Sequence, residues 1–120
     1  MANERVADVA AFTHLVADFI GVPREPLADQ ALLTGLLIAA AGAAGYPTTG
    51  APVIRRLGTD GLSVVLFLDG CHMSVHAVPS RGVLLLDVLA DAHIDARKAL
   101  AVFTRKLRAV EVRTAERARG

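Results

Sequence analysis

The side chains best suited to chemistry are concentrated in residues 71–76, Cys-His-Met-Ser-Val-His. This segment holds the single cysteine of the chain and two of its four histidines. It follows Asp69-Gly70, a dipeptide typical of a type I′ hairpin turn because both residues tolerate positive φ. Since the run before the turn, residues 62–68, is almost wholly apolar, we expect residues 71–76 to return as the second strand of a hairpin.

Two kinds of site are conceivable in such a strand. His72 and His76 would share one face but lie about 13 Å apart at ~3.3 Å per residue, too far to bind one ion, and Cys71 would point the other way. We therefore predict no metal site. Cys71 beside a histidine could form a reactive thiolate. A lone cysteine is more often a small buried hydrophobe, and the local pattern alone favours that interpretation.

The composition describes one domain with an aliphatic core. The chain has 120 residues, of which 53% are hydrophobic and only 4% aromatic. The net charge of +1 predicts no nucleic-acid partner, and the arginines near the C-terminus are interpreted as a solvated surface. One cysteine fits a reducing compartment, no signal peptide is evident, and no apolar run approaches the roughly 20 residues that span a bilayer. We expect a cytoplasmic protein that does not enter the membrane.

The elements that would position these residues have the order β-α-β-β-β-β-α-β. This order predicts an α+β fold, a two-layer sandwich in which a mostly antiparallel sheet carries two helices on one face. Asp95 is expected to cap the second helix and Gly45 to end the first. The predicted strands are residues 12–20, 50–57, 62–68, 72–78, 83–89 and 110–114, and the predicted helices are residues 26–44 and 95–107.

The other face of this sheet must also be shielded from water. The apolar strands 62–68 and 83–89 would otherwise expose a large hydrophobic patch. The simplest cover is the same face of a second copy, which predicts a two-fold homodimer with the sheets inside and the helices outside.

The run from Asp69 to His76 resembles the processing-site motif of the bacterial S-adenosylmethionine decarboxylases, which has the form Glu-Ser-His-(apolar)-Ser-(apolar)-His. The resemblance extends from Phe12 to the C-terminus and has no gaps from Gly61 to Ala92. The other segments that carry it are Thr13–Asp18 with Gly21, Gly61-Leu62-Ser63, Leu86-Asp87-Val88 and Asp95–Ala99.

The resemblance implies the predicted sandwich and a pyruvoyl cofactor made from the chain itself. The motif residue attacks the carbonyl before it, the chain is cleaved, and a pyruvoyl group remains on the new N-terminus. That group forms a Schiff base with the substrate amine and withdraws electrons while carbon dioxide leaves. In this chain the processing site would be Gly70-Cys71, with His76 and Ser63 assisting. The reaction would belong to polyamine metabolism, such as spermidine biosynthesis.

The departures from the family pattern fall at the functional positions. Cys71 replaces the serine that becomes pyruvoyl, and Gly70 replaces the glutamate before it. Asp91 stands where the family has a proton-donating cysteine, with His93 as an alternative donor. The family's substrate-binding aromatic and acidic residues are replaced by Leu57, Val78 and Ser80. His72, Ser74, His76 and Ser63 are kept.

Three functions follow. The first is a divergent pyruvoyl-type decarboxylase of S-adenosylmethionine or of a smaller amino acid such as ornithine or arginine, since loss of the aromatics removes a stacking platform for a purine. The second is an unprocessed relative that binds a small molecule or regulates an active paralogue, as a homodimer or a heterodimer. The third is an enzyme that uses Cys71 as a thiolate.

Overall fold

A computed structural model describes residues 10–46 and 50–120. The described residues form six strands and three helices in the order β-α-α-β-β-β-β-α-β. The strands are β1 (Phe12–Ile20), β2 (Val53–Leu57), β3 (Gly61–Leu68), β4 (Cys71–Val78), β5 (Val83–Asp91) and β6 (Glu111–Arg119). The helices are α1 (Arg24–Leu27), α2 (Gln30–Ala44) and α3 (Ala96–Leu107), and a short 3₁₀ turn spans Pro79–Arg81.

The strands form one sheet in the order β2-β3-β4-β5-β1-β6, and every neighbouring pair is antiparallel. This confirms the predicted α+β sandwich. The first strand lies between β5 and β6, so the N-terminal part of the described chain is an interior strand. The two edges of the sheet are β2 and the last strand, β6.

The core lies between the sheet and the helices. Alternate residues of β1, β3, β4 and β5 face α2 and α3 and are buried. Phe19 of β1 contacts Phe103 of α3 with ring centroids 6.3 Å apart. The other core side chains are almost all aliphatic, as the composition predicts.

Local differences from the prediction have identifiable causes. The first helix does not open at Pro26: a one-turn helix ends at Leu27, and α2 begins at Gln30 because the Asp29 side chain accepts the Leu32 N–H at 3.0 Å. The β3–β4 turn is not type I′, since only Gly70 of its two central residues has positive φ, at 78°. Both predicted caps, Asp95 and Gly45, are confirmed.

The last strand is longer than its alternation of apolar and polar residues predicts. It continues through residue 119 because its whole length pairs with β1, from Glu111 opposite Ile20 to Arg119 opposite Phe12. Backbone pairing with an interior strand thus extends β6 beyond the part that has a sequence pattern.

The face of the sheet turned away from the helices is called here the open face. Its side chains come from the alternate residues of each strand and are partly buried or exposed. Large hydrophobic side chains lie exposed on it, among them Phe67 at 52%, Leu57 at 46% and Leu85 at 37% exposure. An exposed apolar area of this kind typically marks an interface.

Candidate active site

Ser63 and His76 form a hydrogen-bonded pair on the open face. They lie opposite each other on β3 and β4, and the Ser63 Oγ is 2.7 Å from His76 Nδ1. Antiparallel register holds both side chains on the same face, so the pair follows directly from the strand pairing. In this geometry the imidazole can accept the hydroxyl proton, which is the arrangement of a base and the group that it activates.

The three predicted substrate-binding residues lie near this pair. Leu57 is the last residue of β2 and pairs with Gly61 of β3. Val78 is the last residue of β4, at the same end of the sheet as Gly61. Ser80 follows in the 3₁₀ turn, where its backbone N–H donates to Asp60 Oδ2 at 2.6 Å. Hydrogen bonds from the side chain and backbone of Ser80 lower the pKa of Asp60. Together with Ser63 and His76, these residues define what is called here the His76 end of the sheet.

Gly70, Cys71 and Asp91 lie at the opposite end, called here the Cys71 end. Cys71 opens β4 opposite Leu68, on the side that faces the helices, and packs in part against the core. Burial raises the pKa of the Cys71 thiol; a hydrogen bond from the Asp91 backbone opposes this rise, and the charges of Asp91 and Asp69 add to it. Asp91 itself is exposed, and its Oδ1 accepts the His93 N–H at 2.9 Å.

The structure thus separates the predicted site residues into two groups. Cys71 and His76 are five residues apart on one strand, which corresponds to about 16 Å at ~3.3 Å per residue. The hydrogen-bonded pair cannot reach the bond before Cys71 within one copy of the chain. The roles assigned to Cys71, His76, Ser63 and Asp91 remain predictions.

Sequence reasoning assigned no role to a second pair on the open face. His14 of β1 and Asp87 of β5 are joined by a hydrogen bond of 2.9 Å between Nε2 and Oδ1. A signal was present in the sequence, because Asp87 is the one charged residue within the apolar run 83–90. A charge in such a run indicates a strand position that faces away from the core.

Tyr46 was also missed, because a single tyrosine after a helix has no sequence pattern. Its hydroxyl is buried and has no hydrogen-bond partner among the described residues. Burial raises its pKa to about 12, and the negative charges of Cys71 and Asp95 contribute to this rise. The phenol therefore lies on the core side of the sheet, close enough to the Cys71 end for the charges there to affect its pKa.

No group of three or more potential metal ligands occurs within residues 10–46 and 50–120. His72 and His76 lie on the same strand face, as the alternation predicts. None of the helices in the described ranges has the length and hydrophobicity needed to cross a bilayer.

Three comparisons with known proteins show what this chain is similar to. A sequence profile of the family described as S-adenosylmethionine decarboxylase matches residues 13–120. An arginine decarboxylase proenzyme from Aeropyrum pernix is 28% identical over 107 residues, which is 88% of this chain and 81% of that protein. The crystal structure of the adenosylmethionine decarboxylase from Aquifex aeolicus superposes with a TM-score of 0.82 at 22% identity and covers 92% of each chain.

Proposed function

The chain belongs to the S-adenosylmethionine decarboxylase family, and on that premise we propose that it is a self-processing, pyruvoyl-type decarboxylase. The observation that carries the proposal is the Ser63–His76 hydrogen bond on the open face, together with Cys71 directly after the turn at Gly70. The substrate would be S-adenosylmethionine or a smaller amino acid such as ornithine or arginine, in polyamine metabolism. Arginine is the substrate named for the Aeropyrum pernix relative.

The residues at the turn fit formation of the cofactor. No atom other than those of its chain neighbours would lie within 4 Å of a Cβ at Gly70, so the side-chain position before Cys71 is open. The Cys71 sulfur can attack the Gly70 carbonyl, which breaks the peptide C–N bond and leaves a thioester and a free amine. Loss of the Cα proton then breaks the Cβ–S bond and releases Gly70 as a thiocarboxylate. Hydrolysis of the new N-terminus releases ammonia and leaves the pyruvoyl group, which supplies an electron sink for decarboxylation.

A second copy of the chain would complete the site. Within one copy the pair at His76 lies about 16 Å from Cys71 along the strand. In a two-fold dimer the open faces of the two copies would pack against each other. The His76 end of one copy could then lie against the Cys71 end of its partner. The exposed Leu57, Phe67 and Leu85 would be buried in the same interface.

In this arrangement Ser63 and His76 would move the protons of the acyl shift. Asp91 and His93 remain candidates for returning a proton to the product, since both belong to the Cys71 end and Asp91 is exposed. Leu57 and Val78 offer apolar contact area in place of aromatic rings, which favours a substrate without a purine.

Intact-mass spectrometry of the purified full-length chain tests the proposal. We expect two fragments that separate between Gly70 and Cys71, the first ending in a thiocarboxylate or its hydrolysed carboxylate and the second blocked at its N-terminus. Cys71→Ala should give one uncleaved chain, and Cys71→Ser should still be cleaved. A wild-type chain that stays intact after long incubation contradicts the proposal.

The half-buried position of Cys71 favours a second candidate function. A thiol that faces the helices and has a raised pKa is a weak nucleophile at neutral pH. The chain would then be an unprocessed protein that binds a small molecule or regulates an active paralogue as a heterodimer. An intact wild-type chain together with a cleaved Cys71→Ser variant would support this candidate. The same raised pKa argues against an enzyme that uses the Cys71 thiolate.

A further inference from the structure

A groove crosses the open face beside the Cys71 end, formed by two adjoining depressions. The first has a volume of about 570 Å³ and is lined by His14, Arg117, Ala118, Arg119 and Gly120. The second has a volume of about 310 Å³ and is lined by Phe12, Gly70, Leu89, Arg119 and Gly120. Because Arg119 and Gly120 line both, the two depressions lie side by side, and the second one reaches Gly70, next to the proposed cleavage point.

Two arginines give this groove its charge. Arg117 lies opposite His14 and Arg119 opposite Phe12 in the pairing of β6 with β1, so both side chains stand on the open face. Within the described part of the chain, neither guanidinium has a hydrogen-bond or ion-pair partner. Among residues 10–46 and 50–120, no acidic side chain lines either depression. The groove therefore presents two guanidinium groups that have no ion-pair partner among the described residues.

Arg113 on the same strand shows the contrasting case. It also faces the open side of β6, opposite Asp18. Its Nε donates to Glu111 Oε2 at 2.7 Å, and its Nη2 donates to Glu111 Oε1 at 3.3 Å. The charge of Arg113 is thus compensated within the strand, whereas the charges of Arg117 and Arg119 remain available to a ligand.

His14 adds a fixed polar group to the wall of the groove. A carboxylate only accepts hydrogen bonds, so the 2.9 Å contact with Asp87 places a hydrogen on Nε2 and fixes the plane of the ring. Asp87 is occupied by this contact and does not line the groove. A ligand in the groove would therefore meet a held imidazole and two free guanidinium groups.

We propose that this groove binds a carboxylate group of a small-molecule ligand, with Arg117 and Arg119 as the donors. Guanidinium groups match carboxylates in shape and charge and can donate two parallel hydrogen bonds to them. The proposal rests on the proposed function in taking the ligand to be the amino acid that reacts next to Gly70. The carboxylate can be the α-carboxylate, which every amino-acid substrate carries, or one on the side chain.

Isothermal titration of the full-length chain with matched ligand pairs distinguishes these two sources. Arginine and agmatine differ only in the α-carboxylate, and glutamate and glutamine differ in the side-chain charge. The titrations are made with the Cys71→Ala variant, which cannot form the cofactor and so cannot turn the ligand over. Circular dichroism checks that each variant is folded. We expect the carboxylate-bearing member of one pair to bind at least about tenfold more tightly, the usual effect of a hydrogen bond to a charged group.

Substitutions on β6 show whether the arginines cause the preference. Arg119→Gln and Arg117→Gln should reduce it by about tenfold, and Arg113→Gln on the same strand face should leave it unchanged. A preference within the first pair assigns the groove to the α-carboxylate, and one within the second pair assigns it to a side-chain carboxylate. Equal affinities within both pairs, or a preference that survives both substitutions, overturn the proposal. Because the titration needs no cleavage, failure of self-processing would leave its result intact.

Discussion

At the scale of single residues, Cys71 carries a potentially reactive sulfur atom in an environment that lowers its reactivity. The family resemblance predicts that this thiol is the processing residue, but it lies on the helix-facing side of β4 and is partly covered by the core. Burial raises its pKa, and the nearby Asp91 and Asp69 add negative charge instead of a compensating cation. The surroundings of Cys71 thus lower the reactivity of its thiol near neutral pH.

In chains that are still uncleaved, this environment predicts slow alkylation of Cys71 near neutral pH. Only the thiolate reacts with iodoacetamide, and a raised pKa reduces the thiolate fraction at pH 7 to 8. The rate should rise steeply as the pH passes the ordinary thiol range, and the folded chain should react more slowly than the same chain in denaturant at each pH. A folded chain that reacts faster than the unfolded one would instead support a thiolate enzyme.

Tyr46 predicts a loss of stability in alkali. The phenol has a pKa of about 12 when folded and an ordinary value of 10.0, so its stabilising contribution is complete below pH 10 and is lost as the pH rises toward 12. Between pH 9 and 11 this loss is about 1 kcal/mol in the free energy of unfolding. Urea unfolding of wild type and Tyr46→Phe measures it, because the variant should lack this part of the pH dependence. Parallel curves for the two proteins would contradict the assignment.

At the scale of elements, register and caps determine which side chains meet. Ser63 and His76 are neighbours because β3 and β4 pair through a two-residue turn, and His14 meets Asp87 because β1 lies beside β5. The ends of the helices are equally specific. Asp29 and Asp95 cap α2 and α3, and Arg108 ends α3 with a φ of 53°, which costs energy in any residue with a Cβ.

Arg108→Gly should therefore stabilise the protein. Removing the strain of the left-handed conformation gains about 0.5–1 kcal/mol after the extra freedom of glycine in the unfolded chain is subtracted. Arg105→Gly, an exposed position inside α3, is the matched control and should destabilise by about 1 kcal/mol. Urea midpoints of the two variants give the comparison, and a destabilised Arg108→Gly would show that its side chain contributes more than the strain costs.

At the scale of the whole molecule, one sheet separates two faces and two ends. The helices cover one face, and the open face carries exposed apolar side chains between the His76 end and the Cys71 end. A reaction that needs both ends requires a second copy of the chain across the open face. The apolar strands of the open face predicted a sheet-to-sheet dimer, and the separation of the two ends gives a second reason for it if the proposed roles of Ser63, His76 and Cys71 hold.

The proposed dimer predicts that two similar substitutions have different effects on the oligomeric state. Leu85→Asp places a charge in the middle of the open face, beside His76 and Asp18 in the strand pairing, and should shift the protein to monomer. Ile38→Asp changes an exposed apolar residue on α2 and should leave the oligomeric state unchanged. Sedimentation equilibrium measures both variants. A wild-type chain that is monomeric at micromolar concentration would contradict the dimer.

The sequence by itself determined the layers, most element boundaries and the family. Periodicity of apolar residues identifies buried faces, and Gly and Asp mark the turns and caps, because these signals depend on neighbours a few residues apart. The tertiary structure alone decided that Cys71 and His76 lie at opposite ends of the sheet, that His14 is held by Asp87, and that Arg117 and Arg119 line a groove beside Gly70. These facts depend on strand order and register between distant segments, which local sequence patterns do not encode.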